Sequence, residues 1–120
     1  MVKLIVCVKR KPGMSVQEFH DYWRTQHGPL VKSVPGCRKY IRKYLQCHTI
    51  PQAYERNAAP FDGIAELWFD SIEDVDRFLA DPEYLAKVRP DELTFTDHPN
   101  LVWFVTQEET VIDEAEGKER

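Results

Sequence analysis

Residues 15–30, SVQEFHDYWRTQHGPL, decide the fold. Ser15 followed three positions later by Glu18 is a capping box, in which each side chain satisfies a backbone N–H left open at a helix start. At about 100° per residue, Val16, Phe19, Trp23, His27 and Leu30 share one stripe, while Gln17, Asp21, Arg24 and Thr25 face away. The spacing predicts a helix to about His27, where Gly28-Pro29 stops it.

Working outward, residues 2–10 are rich in β-branched side chains and end at Pro12-Gly13, which reads as a strand and a turn. Pro35-Gly36 turns the chain into a long second strand over 37–48, where Tyr40 and Tyr44 alternate with basic residues. Residues 49–60 have two prolines and no apolar period, as a surface connection would, and 61–69 form a third strand. Ser71 and Asp74 open a second helix with Ile72, Val75, Phe78 and Leu79 as its stripe, broken at Asp81-Pro82. Residues 83–88 allow a turn or two, 91–100 are irregular or weakly helical, and 101–112 make a fourth strand. The order β, α, β, β, α, β is that of an α+β, ferredoxin-like protomer, a four-stranded antiparallel sheet with both helices on one face. Residues 1–112 form that domain, and 113–120 a charged tail.

At 120 residues, 42% hydrophobic and 30% charged, the chain makes one domain with a packed core. A formal charge of −4 argues against a surface built to neutralise phosphates, so nucleic acid is not an expected partner. The apolar run at 4–8 is far short of a membrane span and lacks a small-residue cleavage site. Cys7, Cys37 and Cys47 are odd in number, and on one strand the last two would lie roughly 33 Å apart. Free thiols in a reducing cytoplasm are the expectation.

A sheet wetted on one face alternates apolar with polar residues, yet 4–8 and 101–105 are apolar in both parities. Something must cover the second face. The 49–60 loop is too polar to do it well, which leaves a second copy packed sheet to sheet as a homodimer.

His27 sits on the apolar stripe, so its ring should point between helix and sheet. There the helix dipole favours imidazolium and burial opposes it, poising the ring for proton transfer near neutrality. A histidine bonded to a backbone carbonyl, or capping the helix, satisfies the same pattern. Tyr22 borders the stripe beside Phe19, placed to hold a substrate oxygen or to flank the core; His20 lies on the opposite, partly solvated edge. Tyr40, Tyr44, Gln46 and His48 share one face of the expected strand, inward as polar handles or outward as dimer contacts. Glu66 and Trp68 share a parity on the third strand, where the carboxylate is either a raised-pKa acid or base, or one half of an ion pair at the dimer seam. Asp97-His98-Pro99 is a proton relay or a simple turn. His20 and His27 stand roughly 10 Å apart by helical rise, too far for one zinc ion, and neither HxxxH nor CxxC spacing occurs. No metal is expected. Without GxGxxG, Walker or GxSxG motifs, no nucleotide cofactor or nucleophile elbow is expected either.

Phe19, Tyr22-Trp23 and His27-Gly28-Pro29-Leu30 closely resemble the FxxYWxxxHGPL signature of the EthD-like family. Pro35-Gly36 with Tyr40, residues 65–69 before Ser71, and residues 91–97 around Phe95 are similar to its remaining blocks. The resemblance implies a dimeric α+β barrel of ferredoxin-like protomers. It also implies kinship with cofactor-free dehydratases and decarboxylases acting on polyketide-derived aromatics. Methylmuconolactone isomerases look like a neighbouring branch, but their strand cysteine corresponds here to Leu67, which counts against that mechanism.

The expected activity is that of a cofactor-independent lyase or isomerase on a small, apolar, oxygenated ring compound. His27 is the candidate general acid or base, with Tyr22 and Asp97 as further catalytic candidates. Phe19, Trp23, Tyr40, Tyr44, Glu66, Trp68 and His98 are the candidates for substrate contact. Two alternatives remain: a binding or accessory protein of an oxygenase system degrading ethers or aromatics, and a cofactor-free monooxygenase.

Overall fold

The computed structural model describes residues 1–117. Four strands, β1 (Val2–Val8), β2 (Lys43–His48), β3 (Gly63–Phe69) and β4 (Val102–Thr106), form one sheet in the order β2-β3-β1-β4. All neighbouring pairs are antiparallel, with Leu4 opposite Leu67 and Val105, and Tyr44 opposite Leu67. The fold is the expected α+β, ferredoxin-like sheet with its helices on one face.

Register sorts the side chains. Leu4, Val8, Ala65, Leu67 and Phe69 point at the helices and are buried. Ile5, Cys7, Leu45, Ile64, Val102 and Phe104 take the opposite parity and make a largely apolar outer face. Leu45, Val102 and Phe104 are each exposed by 40% or more in one copy of the chain.

The capping box forms: Ser15 Oγ accepts from the Glu18 N–H at 3.0 Å, and Glu18 Oε1 accepts from the Ser15 N–H at 3.1 Å. It opens α1 (Val16–Tyr22), whose stripe packs Phe19 against Phe95 under the sheet. Contrary to expectation, Gly28-Pro29 does not stop the helix. A π-helical turn, Trp23–His27, leads directly into α2 (Gly28–Ser33). Proline lacks an N–H and crowds the carbonyl four residues back; a turn closed by Gly28 N–H on the Trp23 carbonyl widens the backbone ahead of Pro29.

The second strand is shorter than expected. Pro35-Gly36 begins α3 (Pro35–Tyr40), because proline at a first helical position gives up only an N–H that would have no intrahelical partner. Gly36 lets that helix touch Asp81: a Cβ there would lie 2.1 Å from Oδ1. Cys37 is therefore buried in a helix, Tyr40 closes it, and neither belongs to β2. All three cysteines are free.

The 49–60 connection contains a short helix, α4 (Pro51–Glu55). Ser71 caps α5 (Ile72–Leu79) through the Asp74 N–H. A second π-turn, Tyr84–Val88, then enters α6 (Arg89–Phe95), more order than was expected of this stretch. A short 3-10 turn, His98–Asn100, leads to β4, which ends at Thr106 instead of running to Ile112. Of the expected tail, Glu114–Gly117 form one helical turn, α7, and 118–120 lie outside the described residues. No described helix is long and apolar enough to cross a membrane.

Candidate active site

Between the inner sheet face and the helices lies a cavity of about 270 Å³. Leu4, Val6 and Leu67 of the sheet and Val31, Phe78 and Val88 of the helical layer give it apolar walls. His27, Tyr44, Tyr84, Arg89 and Glu92 bring polar atoms to its lining. Apolar walls with a few convergent polar groups are what a small-molecule site requires.

The π-turn ends on His27, whose ring packs on Phe95 at 4.9 Å between centroids and is 6% exposed. Its Nδ1 lies 2.8 Å from Asp91 Oδ2, the distance of a charge-assisted hydrogen bond. Tyr22 donates its hydroxyl to the other carboxylate oxygen, Oδ1, and Thr94 Oγ1 donates to the Tyr22 hydroxyl at 3.4 Å. With Nδ1–H held by Asp91, the neutral ring turns its basic Nε2 to the cavity, where no described side chain bonds to it. Burial lowers the His27 pKa, and the hydrogen bond and charge of Asp91 pull it back up. The upward pull comes from this carboxylate and not from a helix end, since the helix continues past His27. Asp91 was not among the residues expected at the site. The sign that pointed to it was a proline followed by two acidic residues, Pro90-Asp91-Glu92, which marks a helix's first turn.

Glu92 was missed as well. Its Oε2 accepts from the Tyr84 hydroxyl at 2.8 Å. Burial pushes its pKa up to about 7, with the neighbouring Asp91 adding to the rise while Tyr84 and Arg89 oppose it.

A chain of polar side chains backs the cavity wall. Gln46 Nε2 donates to the Trp23 carbonyl at 2.9 Å, the same carbonyl that closes the π-turn, and to the Tyr44 hydroxyl at 3.2 Å. His48 Nε2 donates to Gln46 Oε1 at 2.8 Å, and the Nδ1 atoms of His48 and His20 stand 2.7 Å apart. His20 Nε2 lies 2.9 Å from the Tyr54 hydroxyl, which donates to Asp62 at 2.6 Å; Arg10 pairs with the same Asp62 oxygen at 2.7 Å. His20, expected at a solvated edge, is buried, because α4 and the β2 end close over it. Burial lowers both histidines, His48 to about 4.

The remaining expected residues divide. Trp23 and Tyr44 line the cavity, and the tyrosine parity of β2 is inward. Phe19 is wholly buried beneath the lining. Tyr22 reaches Asp91 and does not border the cavity. Tyr40 sits on α3, away from it. Glu66 and Trp68 take the outward parity of β3, so they face away from His27. There Glu66 pairs with Lys3 at 3.6 Å, and the Lys3 and Lys43 ammoniums each lie 4.9 Å from the Trp68 ring centre. Asp97 stands outside the cavity and accepts from Asn100 at 2.8 Å, as a turn residue does. His98 also lies off the lining, with Nε2 3.9 Å from Glu92 Oε1. Among the described residues no cluster of three or more His, Cys, Asp or Glu is arranged to hold a metal ion.

A family model described as the EthD domain matches residues 11–99. The conidial pigment biosynthesis dehydratase EthD of Metarhizium robertsii is 31% identical over 103 residues, 78% of this chain and 72% of that protein. The decarboxylase nsrE of Aspergillus novofumigatus is 30% identical over 107 residues, 78% of this chain and 68% of that protein. A solved ethyl tert-butyl ether D (EthD) family protein from Bacillus halodurans is similar in fold, with a TM-score of 0.66 at 22% identity, over 91% of this chain and 99% of that one.

Proposed function

The chain belongs to the EthD family, and we propose that it is a cofactor-independent lyase, of the dehydratase or decarboxylase kind, acting on a small, apolar, oxygenated ring compound. The observation that carries this reading is His27, bonded through Nδ1 to Asp91 and open through Nε2 to an apolar cavity of about 270 Å³. Neutral His27 takes a proton from a carbon beside a carbonyl or returns one to the product. Asp91 holds the tautomer and stabilises the imidazolium as it forms. Tyr22 is a positioning residue, its hydroxyl orienting the carboxylate. The low polarity of the walls strengthens each of these interactions. The bare outer sheet face is covered by a second copy of the chain, which makes the working unit a homodimer.

The experiment incubates the purified protein, without added cofactor, with hydroxylated bicyclic ketones and aryl carboxylic acids, and follows loss of water or carbon dioxide by mass spectrometry. His27→Gln is expected to lower kcat by about 10²–10⁴-fold with ligand affinity changed only a few-fold. Tight ligand binding by a wild-type protein that turns nothing over would make it a binding or accessory protein. Oxygen consumed in step with product would make it a monooxygenase.

A further inference from the structure

Asp91 and Glu92 are consecutive on α6, so their side chains leave the helix about 100° apart. Asp91 goes to His27 and Tyr22; Glu92 goes to Tyr84 and the cavity. The two carboxyl groups are also bonded differently. Asp91 receives a hydrogen bond on each oxygen, as a carboxylate does. Glu92 receives one, on Oε2. Its Oε1 has Arg89 Nε at 4.0 Å and His98 Nε2 at 3.9 Å, both beyond hydrogen bonding, and no described residue donates to it. That oxygen is free to carry a proton.

We propose that Glu92 is the general acid that works with His27 on one substrate, and that the reaction they serve is loss of water from a β-hydroxy ketone. This rests on the lyase reading above and narrows it. His27 Nε2 removes a hydrogen as a proton from the carbon beside the carbonyl, and the electron pair left behind forms the new carbon–carbon double bond. The bond from the β-carbon to oxygen breaks, and hydroxide leaves with the Glu92 proton as water. Glu92 is then a carboxylate and His27 an imidazolium; the proton returns from one to the other through solvent after product leaves. Nothing is oxidised or reduced. Decarboxylation, by contrast, puts one proton on carbon and has no leaving oxygen to protonate, so a separate acid and base exceed its needs. The elevated affinity of Glu92 for its proton fits the role, because about half of the groups still carry the proton at pH 7.

The test uses two probes that both end as naphthol: β-hydroxytetralone, whose hydroxyl needs a proton to leave, and β-acetoxytetralone, whose acetate leaves without one. Glu92→Gln is expected to slow the hydroxy compound by about 10²–10³-fold and the acetoxy compound by no more than about threefold, while His27→Gln slows both. Tyr84→Phe serves as the second variant. Without the Tyr84 donor the Glu92 carboxylate is less stabilised, so the fall in kcat on the alkaline side moves to higher pH. Equal losses on both probes, or none, in Glu92→Gln would overturn the proposal, as would an unmoved pH profile in Tyr84→Phe. Wild-type protein that decarboxylates aryl acids and eliminates from neither tetralone would sink the elimination step and leave the lyase reading standing. Wild-type protein inert toward every compound would sink the lyase reading itself.

Discussion

The two π-turns, Trp23–His27 and Tyr84–Val88, are built alike and loaded differently. Each is closed by an N–H reaching five residues back, Gly28 to Trp23 and Arg89 to Tyr84, and each precedes a proline at the second position of the next helix, Pro29 or Pro90. Both border the same cavity. The first delivers a single imidazole on an apolar stripe. The second delivers two adjacent carboxyl groups, which the helix turns toward different neighbours. Chain position does not separate Asp91 from Glu92. Hydrogen-bond supply does, giving one carboxylate bonded on both oxygens and one carboxyl group that receives a single bond and holds a proton near neutrality.

The contrast breaks most severely if the two turns are uncoupled. Asp91→Asn keeps the shape but removes the charge that holds the His27 tautomer, and kcat should fall by about 10³-fold with KM changed little. Steady-state kinetics on the tetralone probes checks this; a loss carried in KM instead would assign Asp91 to binding.

Next in size is the pH dependence of stability. Glu92 holds its proton to about pH 7 in the folded chain and releases it near its ordinary value of 4.5 when unfolded. The folded state therefore binds more protons across that window, and stability from this group is fully present below about pH 4.5 and lost as pH rises to about 7. The loss is on the order of 3 kcal/mol. Denaturant titrations of wild type and Glu92→Gln across that range should diverge by such an amount; parallel curves would show that Glu92 ionises normally.

The smallest effect probes the turns themselves. Pro90→Ala restores an N–H and removes the crowding that favours the widened turn, allowing Tyr84–Val88 to relax toward an ordinary helix. That relaxation rotates Asp91 and Glu92 relative to His27. Turnover should drop by about tenfold with no fall in melting temperature. Lost stability with intact turnover would mean that the bulge serves packing alone.

Much of this was legible from local pattern. The Ser15–Glu18 box, the stripe through Phe19 and His27 and the two-sided apolarity of β1 each depend on residues a few positions apart, and each survives in the fold. Gly28-Pro29 and Pro35-Gly36 misled for one reason. Proline forbids an N–H bond at its own position but does not say whether the helix ends there, begins there or widens around it. Glu66 and Trp68 carried a correct shared parity, and only pairing with β1 decided that it faces away from His27.

His27, an apolar stripe ending in a base, stood in the amino-acid order itself, because helical periodicity places it without reference to the rest of the chain. Its partner did not: Asp91 lies 64 positions away, and the contact exists because packing sets α6 directly against the first π-turn. The proton on Glu92 is likewise a product of the assembled interior. Its pKa depends on how much water is excluded and on what stands within a few ångströms, quantities that come into being only when distant segments close around the same space.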